Sequence, residues 1–293
     1  RLSETSELSL AARLDHFDLQ TVVADDERLT MEIDLQHGFQ ASPNQRILWG
    51  LGYRRVESEF DGSFALSLRE EERNDDLLSA FVQDEIALDD AERWRLVLGS
   101  KFEENDYTGF EIQPSVRLAF RPDEHKTWWA AVSRAVRTPS QVEDDAIIRS
   151  SVFPGTFPFT NIVEVRGSGD VEAEELTAYE LGFRAQPTES LSFDISTFVN
   201  DYDNLTTMEL GAPEIDPINF VVVLPATFDN ERSGQTYGVE LAADWRVRED
   251  WRLRAAYSLV KIDVDLDAGS ADLNQQGLDV EGESPDHQLS VRR

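Results

Sequence analysis

An alternation of apolar and polar residues restarts about a dozen times along this chain, and it restricts the folds the chain can adopt. In Tyr237-Gly-Val-Glu-Leu-Ala-Ala-Asp-Trp-Arg-Val247, the side chains of Tyr237, Val239, Leu241, Ala243, Trp245 and Val247 fall on one side. Gly238, Glu240, Ala242, Asp244 and Arg246 fall on the other. A β-strand has a side-chain period of two, so such a segment is a strand with one greasy and one charged face. The pattern predicts strands at about 8–18, 28–40, 46–59, 77–88, 94–104, 108–120, 127–136, 173–186, 191–203, 233–247, 252–263 and 286–293. The segment 127–136 alternates poorly. Helical periodicity is almost missing; Asp170-Val-Glu-Ala-Glu-Glu-Leu176 could cap a turn, but its continuation through Tyr179, Leu181 and Phe183 reads as strand.

The connections carry a second regularity. Ser42-Pro-Asn44, Asp89-Asp-Ala-Glu92, Pro122-Asp-Glu-His125, Pro187-Thr-Glu-Ser190 and Arg248-Glu-Asp250 are tight polar turns. Between them lie longer connections at about 60–76, 137–172, 204–232 and 264–285, with a very short one near 105–107. Short and long sides alternate, which is the parity of an up-and-down meander. Outer-membrane barrels keep short turns on the periplasmic side and long loops outside. Aromatic residues collect near strand ends: Trp49, Tyr53, Trp94, Trp128, Trp129, Trp245, Trp251 and Tyr257. Rings repeated beside the short turns favour an interfacial girdle over an ordinary sandwich core.

Composition removes several classes. The formal net charge is −31, which opposes nucleic-acid binding because phosphate contacts need clustered Lys and Arg. It equally opposes a polybasic membrane-surface protein. Cysteine is absent and the four His residues are scattered, so neither a thiolate metal site nor a cysteine nucleophile is available. No apolar run approaches the ~18 residues of a membrane helix. A barrel stays open, because only alternate residues meet lipid.

Three stretches go beyond pattern. One is Leu98-Gly-Ser-Lys-Phe-Glu-Glu-Asn-Asp-Tyr-Thr-Gly-Phe-Glu-Ile-Gln-Pro-Ser-Val-Arg-Leu118 followed by Trp129-Ala-Ala-Val-Ser-Arg-Ala-Val-Arg-Thr-Pro-Ser140. Another is Glu174-Glu-Leu-Thr-Ala-Tyr-Glu-Leu-Gly-Phe-Arg184 with Phe193 to Asn204 after it. The third is Arg232-Ser-Gly-Gln-Thr-Tyr-Gly-Val-Glu-Leu241 with Ser284-Pro-Asp-His-Gln-Leu289 downstream. In this order they resemble the barrel of TonB-dependent outer-membrane receptors, over most of the chain from about residue 77 onward.

The resemblance implies an all-β fold, a transmembrane antiparallel up-and-down β-barrel of about 22 strands plugged by an N-terminal domain. About twelve strands are readable here, and neither a plug nor a TonB-contacting box is recognisable. Residues 1–293 are therefore expected to be a barrel fragment, without the plug domain and cut at both ends. The resemblance further implies a receptor of the Gram-negative cell outer membrane rather than an enzyme, taking up a scarce ligand. Its partners would be outer-membrane lipid, the TonB complex acting through a plug missing from this chain, and a small-molecule ligand. An iron–siderophore complex is the first expectation for that ligand, with cobalamin, haem and an oligosaccharide left open. No cofactor and no nucleic acid are expected. Two rivals remain: a passive porin, and a soluble acidic β-rich binding module.

Candidate site residues follow. Arg134 and Arg137 are expected to face the lumen, where a guanidinium can fork onto an anionic ligand or a plug carboxylate. Lateral pairing with wall carboxylates such as Glu111 or Glu180 is the favoured alternative. Phe153, Phe157 and Phe159, in Phe153-Pro-Gly-Thr-Phe-Pro-Phe159, offer either a ligand-facing surface or packing against a neighbouring loop. Gly182 and Gly238 on the polar face leave room for something to approach the wall. Asp263 to Asn274 spaces carboxylates like a calcium loop, but its glycine falls one place late and Asn274 replaces the needed Glu, so no metal is expected. Glu70-Glu-Glu72, Asp75-Asp76 and Glu143-Asp-Asp145 read as solvated loop faces. Ser133 lies outside any nucleophile elbow, so no catalytic residue is expected.

Overall fold

The computed structural model describes residues 3, 5–273 and 285–293. Twelve strands form an antiparallel wall, and each matches one of the twelve segments expected from the alternation; at 77–88, 108–120, 173–186 and 286–293 the expected segment overruns its strand by one residue at one end or both. They are β1 (Ser6–Gln20), β2 (Ala24–Ser42), β3 (Gln45–Gly62), β5 (Glu72–Ala87), β6 (Trp94–Asn105), β7 (Gly109–Asp123), β8 (Lys126–Arg137), β11 (Glu174–Thr188), β12 (Leu191–Leu210), β14 (Val221–Arg248), β15 (Trp251–Leu266) and β16 (His287–Arg292). Each pairs with the next in chain order, with no crossover in the wall. Among the described residues no ladder joins β1 to β16, so the wall is an open meander.

Register places like side chains in rows. One row runs Val116, Val132, Tyr179, Val199 and Tyr237; another runs Phe120, Trp128, Phe183, Ile195, Leu241 and Tyr257. These rows are open to solvent: Val116 is 47% and Leu241 39% exposed, and no large side chain among the described residues is fully buried. A soluble sandwich of this size would bury such rows against a second sheet. The apolar face here meets nothing in the chain, as a lipid-facing wall requires.

The girdle is present beside the short turns. Trp94 stacks on Phe120 at 4.2 Å between centroids, and Trp128 lies 4.1 Å from Phe183. Trp129 is a correction to the expected girdle. It points to the polar face, where its ring covers Gly182, the residue opposite it on β11. Two side chains of one poorly alternating segment thus serve different faces. The ring of Phe198 likewise covers Gly238, where an added Cβ would sit 2.8 Å from it. The room left by these glycines is filled by aromatic rings of adjacent strands, which protects the bare backbone.

The long-side connections are more ordered than the sequence indicates. β12 and β14 run 20 and 28 residues, against the 9–11 or so needed to cross a bilayer. Short strands extend them: β4 (Leu66–Leu68), β9 (Ala146–Pro154), β10 (Thr160–Arg166) and β13 (Glu214–Asp216). β10 pairs in parallel with the start of β14, β9 pairs with β10, and β4 pairs with β9. This strap runs from β14 back to the end of β3. A one-turn helix, α1 (Gln141–Asp145), enters it through a capping box between Ser140 and Glu143. The small apolar core lies here and not in the wall, around Phe60, Leu68 and Ala146. No helix among the described residues is long and apolar enough to cross a membrane.

Candidate functional site

The strap gathers the long connections at one end of the polar face, and buried carboxylates tie them together. Asp145, 5% exposed, accepts from the backbone N–H groups of Arg69 at 3.2 Å and Glu70 at 2.9 Å. Glu164 pairs with Arg149 at 2.9 Å and Arg166 at 2.6 Å, and Arg166 continues to Glu214 at 2.8 Å. Asp272 accepts from Met208 N–H at 3.1 Å and pairs with Arg232. Arg73 bridges Asp75 and Asp144, with its guanidinium 4.5 Å from the Tyr107 ring centre. Apart from Arg166–Glu164 and Arg73–Asp75, each contact joins groups distant in sequence. The run Glu143-Asp-Asp145 is therefore no solvated face, although Glu70, Glu71 and Glu72 are exposed as expected.

The two candidate arginines separate. Arg137 lies on the polar face and is fully engaged: Glu174 at 2.8 Å, Glu143 at 2.7 Å and the Thr206 hydroxyl at 3.0 Å. Arg134 shares its face with Val132, so the expectation that it faces the lumen is corrected by the register. The β7–β8 ladder ends at Ser115 and Ser133, just below a proline, Pro114. Through the resulting gap Arg134 reaches Glu175 at 2.7 Å, Glu111 at 3.5 Å and the Ile112 carbonyl. Glu111 is thus a partner, whereas Glu180 stands opposite Ala131 and is not.

Burial pushes the Glu174 carboxyl up, but Arg137 and the Thr206 N–H and hydroxyl outweigh it and hold the group at about 2. Glu143 is lowered in the same way, burial opposing Arg137 and Ser140. A carboxyl depressed in the folded state stabilises above its unfolded value and loses that contribution as pH falls through the folded one. The Arg137 junction is expected to hold at pH 5 and above and to release progressively between about 4.5 and 2. Hydrogen exchange at Thr206, whose N–H donates to Glu174 at 3.0 Å, should rise in that window and not at pH 6. Unchanged protection at pH 3 would contradict it.

Of the three candidate phenylalanines, Phe159 packs edge-on against Phe220 at 5.9 Å, while Phe157 is 95% and Phe153 41% exposed at the β9–β10 tip. Two cavities open below. One of about 350 Å³ is lined by Arg28, Arg54, Asp75, Asp76, Glu103, Asp106 and Tyr107 among others. A second of about 310 Å³ is lined by Glu111, Asp170, Glu172, Glu175 and again Tyr107. Tyr107, which donates to Asp75 at 3.1 Å, was not singled out by sequence, and neither was Arg54. Arg54 lies in the middle of β3, and no sequence signal marks it. No group of three or more metal-ligating side chains occurs among the described residues. Asp263 and Asp265 belong to β15 and not to a loop, and Asn274 lies outside the described residues, as does Ser284.

The family model "TonB dependent receptor-like, beta-barrel" matches residues 3–292. None of the curated proteins compared with the chain matches it. Among solved structures, the siderophore receptor PirA from Pseudomonas aeruginosa is similar at a TM-score of 0.71 and 15% identity, covering 90% of this chain and 48% of that one. PirA from Acinetobacter baumannii is similar at 0.67 and 14%, covering 98% and 44%. The FrpB iron transporter from Neisseria meningitidis is similar at 0.59 and 14%, covering 85% and 38%. The chain spans less than half the length of these three structures. The twelve-strand wall is accordingly part of a barrel, and this chain belongs to the family of TonB-dependent receptor-like β-barrels.

Proposed function

We propose that these residues form part of the wall and outer mouth of a receptor in a Gram-negative outer membrane. The receptor takes up a scarce iron–siderophore complex, with energy delivered by the TonB complex through a plug domain outside this chain. The observation that carries this reading is the wall itself, solvent-open and apolar on one face, charged on the other, and crowned on one side by a β-structured strap. The ligand class is drawn from the siderophore and iron receptors among the structural neighbours. Phe153 and Phe157 are the contact surface proposed for the ligand at the strap tip, with Phe159 holding that tip against Phe220. Arg137 holds the connections around the mouth and Arg134 ties β8 to β7 and β11, since carboxylates already occupy both.

The test is uptake of radio-iron as siderophore complexes by cells expressing the full receptor, with and without TonB. Uptake that vanishes without TonB supports the proposal; uptake that persists assigns a passive pore. Phe157→Ala removes a ring that packs on nothing, so it should leave stability unchanged. It should weaken ligand binding about 5-fold, the effect of an interface anchor worth about 1 kcal/mol.

A further inference from the structure

We infer that the ligand reaches this mouth as a neutral or cationic species. Given the iron-chelate reading above, on which this inference rests, the iron is then held by hydroxamate-type groups and not by catecholates or carboxylates. The long connections at the mouth lack free positive charge to receive an anion. The connections 60–76, 137–172, 204–232 and 264–273 together hold 20 carboxylates, six arginines and no lysine. All six arginines are committed inside the protein. Arg73, Arg137, Arg149, Arg166 and Arg232 pair with carboxylates, and Arg69 donates to the Gly167 carbonyl at 2.6 Å. No guanidinium of these connections is left to fork onto an incoming anion.

The cavities repeat the imbalance. The smaller one is lined by four carboxylates (Glu111, Asp170, Glu172 and Glu175) and by no cation. In the larger, Arg28 pairs with Asp26, and Arg54, without an ion pair among the described residues, shares the space with Asp75, Asp76, Glu103 and Asp106. A mouth lined by one sign of charge concentrates ligands of the opposite sign and repels those of its own, by a factor of about 10 to 10³ in association rate. Three singly charged hydroxamates neutralise iron(III), and a pendant ammonium makes the complex a cation. Three doubly charged catecholates leave it a trianion. The first class meets carboxylates it can pair with; the second meets a repulsive field and no free arginine in the loops.

The experiment uses the full receptor in detergent. Binding of three iron(III) complexes is measured: desferrioxamine B (cationic), a neutral cyclic trihydroxamate, and a tricatecholate (trianionic). At an ionic strength of about 10 mM, where the Debye length is about 30 Å, the cationic complex should associate about tenfold faster than the trianion or better. The ratio should collapse near 1 M salt, where that length is about 3 Å. Asp106→Asn together with Glu172→Gln should narrow the ratio at low salt. A tricatecholate that binds as fast as the cation, or faster, overturns this inference and leaves the iron-chelate reading standing. Failure of all three to bind overturns the iron-chelate reading and this inference with it. A preference unmoved by salt places the selection in shape and not in charge, and that also overturns it.

Discussion

Leu241→Arg is expected to destabilise the membrane-inserted wall by about 2–4 kcal/mol, the cost of an arginine on the lipid face near the bilayer midplane. Leu241 sits on the apolar face between Ile195 and Tyr257. It stands four residues, about 13 Å of strand, above Trp245 at the short-turn end, where the girdle marks the interface. Its neighbour Glu240 points to the other face and accepts from the Ser196 hydroxyl at 3.5 Å. Glu240→Gln should therefore change stability by no more than about 0.5 kcal/mol, as for surface sites without special contacts. Urea titration of the full receptor in lipid vesicles compares the two. The asymmetry is the point, because adjacent residues of one strand differ only in which solvent they meet. Equal effects at both positions would refute lipid contact on the apolar face.

The same asymmetry decides what a reader of the sequence alone can see. On the membrane reading proposed above, one face of β7 or β14 meets hydrocarbon, so Ile112 and Leu241 must be apolar while Glu111 and Glu240 are free to be charged. Period two survives at full strength. Above the membrane neither face meets lipid, and the signal dissolves. Val221-Val-Val-Leu224 is a continuous apolar run because it is flanked by β10 on one side and β13 on the other. It reads as a loop until its partners are known. The capping box Ser140–Glu143 has the Ser-x-x-Glu spacing of a helix start, yet 137–172 reads as a plain connection without its partners. Trp129 was misplaced because its level beside a turn was right and its face was not; Gly182, opposite it, is the clue to that face. The ion pairs were beyond reach for another reason. Arg73 and Asp144 are 71 residues apart and Arg69 and Gly167 are 98 apart, and loop closure over such distances costs nearly the same for many alternative pairings. With carboxylates so abundant, nothing in one sequence selects the right one.

Asp145→Ala is expected to detach the β3–β5 connection from the strap while leaving the wall intact. The carboxylate is buried and accepts two backbone N–H groups, from Arg69 and Glu70. Charge-assisted bonds of this kind are worth about 1.5–3 kcal/mol each, and the two share one anchor, so a combined loss of about 3 kcal/mol in local stability follows. That corresponds to a rise on the order of 10²-fold in amide exchange at Arg69 and Glu70. Exchange in β7 and β12 should not move, because no wall ladder passes through Asp145. Asp145→Asn keeps an acceptor without the charge and should fall between. Gly167→Ala attacks the same junction from the opposite side. A Cβ there would lie 2.6 Å from the Asp144 carbonyl oxygen, backbone that cannot turn aside. If both variants open residues 69–70 and spare the wall, the strap is a separate cooperative unit resting on the barrel. If exchange rises evenly through β7 and β12 as well, strap and wall unfold as one, and the mouth has no freedom to move independently of the barrel beneath it.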